Sequence, residues 1–284
     1  MKFYKYWARG ESTVRLARRE FKLHAYGGSN EGLEAALRRA NEIATRSANA
    51  IEQNSSAGPY GYADRALREE IIEELSEAND LSAVITRNSY GALILNTNRV
   101  MFVDVDYPVP SVRGLFRTLW DSLRGKPAPP PTNRDKQMLA RFDQVVLSRP
   151  ELGIRIYRTA GGYRLLVTSH TYDPVSNEAL DLLSAFGSDP LYVKLCKVQE
   201  CFRARLSAKP WRCGLTVPPT KFPWVTPDHE ARFRKWEEQY HATANQYATC
   251  ELVGCLGTPG VSRDVQPTLE THDRLTMQSG AALA

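Results

Sequence analysis

No stretch of this sequence approaches the roughly 20 consecutive apolar residues of a membrane-crossing helix. The opening run Met1-Lys2-Phe3-Tyr4-Lys5-Tyr6-Trp7 has no apolar core of the signal-peptide kind, so a cytoplasmic location is expected. Cysteine is scarce and odd in number, five in 284 residues, which argues against a disulfide framework and agrees with a reducing compartment. The patterns G-x-S-x-G, H-E-x-x-H, G-x-x-x-x-G-K-S/T and G-x-G-x-x-G are missing, which removes the common hydrolase, zincin, P-loop and dinucleotide-binding signals. Internal repeats and heptads are missing too. Neither sign of charge dominates: 37 Lys and Arg against 32 Asp and Glu leave +5, a balance that favours a polyanionic partner without requiring one. The 42% hydrophobic fraction suffices for one large domain or two small ones.

What is present is a pair of acids. Asp104-Val105-Asp106 ends the apolar run Val100-Met101-Phe102-Val103, which reads as a strand. Strand side chains alternate, so both carboxylates share one face while Val103 and Val105 point to the other. Their backbones lie about 7 Å apart, and two such acids can share one or two Mg²⁺ or Mn²⁺ ions. Phosphoryl and nucleotidyl transfer sites are built this way. A structural role fits the same residues, because Asp106 precedes Tyr107-Pro108-Val109-Pro110, where an Asp often closes a strand.

Along the chain, residues 1–80 read as an N-terminal strand and helical portion, 81–225 as a central sheet domain with the metal and nucleotide site, and 226–284 as a C-terminal helix and tail packed on the core. Residues 2–25 look extended. The Gly27-Gly28-Ser29 turn leads to a helix that Ser29 or Asn30 would cap, with Leu33, Ala36, Leu37, Ala40, Ile43 and Ala44 as its apolar stripe. A second helix is expected over 64–77, carrying Leu67, Ile71 and Leu75. Strands follow at 83–87, 92–96 and 99–106, then a short helix at 115–123 and a stiff Pro-rich linker at 125–131. The spacing predicts a helix over 134–148 and a hairpin of 154–159 with 163–168, turned by Ala160-Gly161-Gly162. Helices at 177–186 and 191–199 flank the turn Gly187-Ser188-Asp189-Pro190. In the strand 201–206, Phe202, Ala204 and Leu206 share one face and Arg203 and Arg205 the other. Arg155, Arg158, Arg164, Lys209 and Arg212 lie in neighbouring strands and turns, either gathering cations on one sheet face or forming a solvated surface. Residues 208–227 are irregular. A long helix then carries Asp228 in its first turn and an aromatic stripe of Phe233, Trp236, Tyr240 and Tyr247, and the tail beyond Gly257 is polar, with 269–277 as a docking segment.

Three stretches in order resemble the archaeo-eukaryotic primase superfamily, in its bifunctional primase-polymerase branch. Asp104-Val105-Asp106 looks like its first motif, the acidic pair that binds the catalytic metal. Arg158-Thr159-Ala160-Gly161-Gly162-Tyr163-Arg164-Leu165-Leu166 is similar to its second, a hairpin ending in a histidine that contacts nucleotide phosphates. Arg212-Cys213-Gly214-Leu215-Thr216-Val217-Pro218-Pro219-Thr220 looks like the stretch around its third. Arg164 stands where the family has histidine, and Pro210 and Trp211 occupy the place of the third-motif acid, so Asp143, Asp173 or Glu200 would have to supply a third ligand. The resemblance covers residues 100–220 and implies an RRM-like sheet backed by helices.

Cys196, Cys201, Cys213, Cys250 and Cys255 all fall in the last third, with His229 and His241 nearby in sequence. The pairs Cys196/Cys201 and Cys250/Cys255 have four intervening residues each, which is not the usual zinc knuckle, so buried free thiols are expected in place of zinc. A Cys213–His229 nucleophile pair rests on nearness in sequence alone. His24, His170 and His272 read as surface or packing residues.

The expected fold is α+β with a mainly antiparallel central sheet. The expected function is a divalent-metal-dependent nucleotidyltransferase resembling a primase-polymerase, or a degenerate relative that binds nucleotide. The alternatives are a noncatalytic nucleic-acid or protein interaction module with a structural Asp pair, and another metal-dependent phosphohydrolase. Asp104, Asp106 and Arg164 are the candidate catalytic residues, with Mg²⁺ or Mn²⁺ on the two acids. Arg158, Thr159, Gly161, Gly162, Arg203, Arg205 and Arg212 are the candidate phosphate and nucleotide contacts. Expected partners are nucleotides and DNA or RNA, with no membrane.

Overall fold

In the computed structural model, which describes residues 1–16, 19–53, 67–77, 80–107 and 133–284, the N-terminal extended region is a long hairpin. Its strands β1 (Tyr6–Leu16) and β2 (Arg19–Ser29) pair antiparallel, with Tyr6 opposite Ser29 and Leu16 opposite Arg19. Gly27, Gly28 and Ser29 therefore close β2 as strand residues, not as a turn. Helix α1 (Leu33–Glu52) lies on this hairpin through Ala35, Ala36, Ala40, Ala44 and Ala48. Leu33 and Leu37, expected in the buried stripe, are 62% and 44% exposed. The reason is the closeness of approach: a methyl group on Gly10 or Gly27 would strike the backbone of α1 at Ala40, so only alanine fits the helix's inner face. Gly32, not Ser29 or Asn30, precedes the first turn, and it makes no side-chain cap.

The helix expected over 64–77 is corrected by strand β3 (Glu70–Glu77), which pairs antiparallel with β4 (Asp80–Arg87). Register shifts between Ile71 and Glu73 and between Leu75 and Ser76 break the period-two pattern that would have marked it as a strand. The start of that expected helix at 64–66, the short helix at 115–123 and the linker at 125–131 lie outside the described residues.

Two four-stranded antiparallel sheets make the body of the fold. One has the order β3-β4-β5-β9, with β5 (Leu93–Thr97) and β9 (Phe202–Arg205); the other has the order β11-β7-β8-β6, with β6 (Phe102–Asp106), β7 (Gly153–Thr159), β8 (Gly162–Val167) and β11 (Cys250–Gly257). A parallel pair, β10 (Tyr247–Ala248) with β12 (Ala282–Leu283), completes the strands. Tyr247 thus sits past the end of its expected helix, and β11 adds a strand the sequence pattern did not announce.

Helices α2 (Asn133–Leu147) and α3 (Asn177–Phe186) cover one face of the second sheet, where Phe142 meets Tyr163 and Phe186 edge-on. Gly187, at φ 82°, ends α3, and Asp189 caps α4 (Pro190–Gln199), as the turn residues predict. From α4, the Tyr192 hydroxyl lies within hydrogen-bond distance of the Phe102 and Arg203 carbonyls, at 2.9 and 3.0 Å. That contact ties the free edge of β6 to β9. Helix α6 (Gln266–Thr276) covers the other face of the sheet, with His272 against Phe102 and Tyr157. In α5 (Pro227–Ala244), Phe233, Trp236 and Tyr240 form a smaller core, with the last two rings stacked at 5.0 Å. No helix among the described residues is long and apolar enough to cross a membrane.

Candidate functional site

Strand β6 buries Phe102, Val103 and Val105 and leaves Asp104 partly exposed and Asp106 exposed. Antiparallel pairing with β8 sets Asp104 opposite Arg164 and Asp106 opposite Gly162. Arg164 is enclosed. Its Nε donates to Asp104 Oδ1 at 2.9 Å and its Nη1 donates to the Arg205 carbonyl at 2.9 Å. Burial alone would lower the pKa of this guanidinium, but the Asp104 carboxylate outweighs it and holds the Arg164 pKa above its ordinary value.

Asp106 is different. Its side chain makes no hydrogen bond or ion pair with a described residue, and its carboxyl is pushed above the ordinary range first by burial, then by the charges of Asp104 and Asp189, with Lys209 and Arg212 opposing. Asp189 is the acid that the sequence reading passed over in favour of Asp143, Asp173 and Glu200. Its backbone N–H donates to the Asp104 carbonyl at 3.1 Å, and its carboxylate accepts the Tyr192 N–H at 3.3 Å. Asp189, which caps α4, thus carries a third negative charge beside the pair. Asp173 closes its own turn with Val175, and Glu200 pairs with Lys2.

Cations face the acids. Arg205 ends β9, and Lys209 and Arg212 bracket the short 3-10 turn Pro210–Arg212. None of the three forms an ion pair with an acidic side chain of the described residues; Arg205 Nη1 donates only to the backbone oxygens of Ser207 and Ala284. Burial, then repulsion from Arg164 and Arg212, lowers the Arg205 pKa to about 10. Lys209 is lowered to about 8 by burial and by Arg205 and Arg212, and burial lowers Arg212 as well. The charges of Asp104 and Asp106 act on this group, offsetting part of the burial cost of Lys209 and Arg212, but no direct ion pair joins them among the described residues. The acid pair reaches the edge of the cation group: a methyl group added at Gly161 would sit 3.2 Å from Arg212 Nη2 and 3.5 Å from Asp106 Oδ1. On the rim, Tyr90 meets Trp211 edge-on, with ring centroids 5.2 Å apart. Neither aromatic stood out in the sequence, where Trp211 figured only as a missing acid.

Other expected contacts are engaged elsewhere. Arg158 lies on the opposite face of the sheet, 3.8 Å from Asp135 of α2, within a network in which Tyr107 and Tyr163 both donate to that carboxylate. Thr159 Oγ1 accepts the Gly161 N–H at 3.2 Å and so closes the hairpin. Gly162 is required by contact, because a side chain there would collide with the Val105 carbonyl. Arg203 is buried against Glu69, at 2.8 and 3.0 Å, beneath the Phe3 ring.

Four of the five free thiols are buried. Cys213 Sγ donates to the Lys209 carbonyl at 3.4 Å and burial pushes its thiol up, so nothing activates it toward His229. Cys250, His272 and Asp273 line up as a thiol, imidazole and carboxylate, yet Cys250 and His272 are 1% and 0% exposed. Burial lowers the His272 pKa and raises the Cys250 thiol, which makes this chain a structural one. Among the described residues, no group of three or more His, Cys, Asp or Glu side chains is placed to hold a metal ion. The donor set at β6 instead suits a hard cation held by one or two carboxylates and completed by water or phosphate oxygens, which is the habit of Mg²⁺. Comparison with protein-family models, with curated proteins and with solved structures finds no match to this chain.

Proposed function

We propose that the hollow between β6 and the Pro210–Arg212 turn binds the phosphates of a nucleotide together with Mg²⁺ or Mn²⁺, in the manner of a nucleotidyltransferase resembling a primase-polymerase. The observation that carries this reading is the juxtaposition of Asp106 with three cations, Arg205, Lys209 and Arg212, none of which forms a direct ion pair with an acidic side chain of the described residues. A phosphate chain would add negative charge beside Arg205, Lys209 and Arg212, and a divalent ion would add positive charge beside the acids. When bound, that ion would polarise a phosphoryl oxygen. Asp104 and Asp106 would hold it, while Arg205, Lys209 and Arg212 orient the phosphates and offset the charge that develops on their oxygens. The four-stranded sheet β11-β7-β8-β6 with helices packed on it is what the RRM-like description draws on.

A second reading is favoured by one contact. Arg164 occupies one oxygen of Asp104, which suits a relative that binds nucleotide without extending a chain. Asp106→Asn separates binding from its loss: the substitution keeps shape and removes charge, and Mg²⁺-dependent nucleotide affinity measured by calorimetry is expected to fall by tenfold or more, on the order of one charge-assisted contact. Unchanged affinity in that variant overturns the site. Primer-dependent incorporation of labelled nucleotide by the unmodified chain distinguishes the transferase from the binder.

A further inference from the structure

Lys209, Trp211 and Arg212 belong to one short turn and the residue before it, so the aromatic ring and two of the three cations are carried as a unit. Trp211 is 44% exposed and is the one tryptophan so open among the described residues. An indole left in water is apolar area that a ligand can cover. The ring is also held in place. Tyr90 meets it edge-on at 5.2 Å, with 61° between the planes, and Lys209 Nζ lies 5.7 Å from its centroid. Tyr90 in turn is fixed by the 88–91 turn, where its N–H donates to Asn88 Oδ1 at 3.2 Å. Such a flanked ring is preorganised, so little ordering entropy opposes stacking on it. The lysine beside the ring is the same one that borders the phosphate hollow.

We propose that Trp211 is the stacking platform for the base of a nucleotide whose phosphates lie on Arg205, Lys209 and Arg212, so that the site takes nucleoside polyphosphates in preference to inorganic polyphosphate. This inference rests on the phosphate site proposed above and adds the chemical class of its ligand. Every nucleobase presents a π face, so the platform is tolerant of base identity.

Calorimetric titration of the full chain in Mg²⁺ with tripolyphosphate and with ATP, GTP, CTP and UTP tests it, using the unmodified protein, Trp211→Ala and Trp211→Phe. The unmodified chain is expected to bind each nucleotide about five- to a hundred-fold more tightly than tripolyphosphate. Trp211→Ala is expected to abolish that gap and leave tripolyphosphate affinity within about twofold, and Trp211→Phe to retain most of it. Equal affinity of the unmodified chain for tripolyphosphate and nucleotides, or a full gap in Trp211→Ala, overturns the platform while the phosphate site stands. Binding of neither ligand overturns both. Circular dichroism of the two variants, whose changed side chain is exposed, confirms that the fold is kept.

Discussion

Asp104 receives a 2.9 Å hydrogen bond from the enclosed Arg164, whereas Asp106, two residues further along the same face, has no such partner. Two acids that are alike in sequence therefore differ in what they do. The first balances a buried cation, and the second is left exposed beside Lys209 and Arg212.

Removing the first acid strands a charge. Asp104→Ala leaves the Arg164 guanidinium enclosed and unpaired, and is expected to lower unfolding stability by about 2–3 kcal/mol, less than for a fully buried pair because the Asp104 side chain is 35% exposed. Asp106→Ala, which breaks no ion pair, is expected to leave stability within about 0.5 kcal/mol or to raise it. Urea denaturation of the two variants measures the difference.

Lys209 makes the site sensitive to alkali. Its pKa is lowered to about 8 from 10.5, so it loses its proton as pH rises through about 8. Phosphate affinity is expected to be strongest below that value and to decline above it. Lys209→Arg, which stays protonated, flattens the profile between pH 7 and 9, on the order of the spread of ordinary lysine and arginine pKa values. Stability of the unliganded chain runs the other way: between about 8 and 10.5 the unfolded state binds the extra proton, so this group makes stability rise with pH over that window. Titration of tripolyphosphate affinity and of the urea midpoint against pH checks both signs.

Two arginines on one strand face are expected to separate in function. Glu69→Ala leaves Arg203 buried without its partner and is expected to cost about 3–5 kcal/mol of stability with phosphate affinity unchanged. Arg205→Met removes a cation that forms no direct ion pair with an acidic side chain of the described residues, and is expected to leave stability level or higher while phosphate affinity falls by about tenfold. Denaturation and calorimetry on the pair give the contrast.

The hairpin glycines divide in the same way. At Gly162 a side chain would meet the Val105 carbonyl and must shift the β6–β8 pairing, so Gly162→Ala is expected to destabilise by about 1–3 kcal/mol. At Gly161 the neighbours are the Arg212 and Asp106 side chains, so Gly161→Ala is expected to weaken phosphate binding with a smaller loss of stability. Thermal melts beside tripolyphosphate titration distinguish them.

Local pattern alone determined much of this protein. Residue alternation placed Asp104 and Asp106 on one face of β6, turn chemistry marked the Thr159–Gly162 hairpin and the Gly187–Pro190 junction, and helical spacing located α2, α3, α4 and most of α5. These features depend on neighbours a few residues apart, so they are legible in the chain. Tertiary structure decided what no local window contains: bulges that let β3 pair with β4, Arg164 drawn inward to Asp104, Arg158 and Arg203 committed to Asp135 and Glu69, and Tyr90, Lys209 and Trp211 brought beside Asp106. Ion pairing and desolvation act through space. Which charge is satisfied and which is left facing the solvent depends on residues more than a hundred positions away, as with Arg203 and Glu69, and only folding chooses among them.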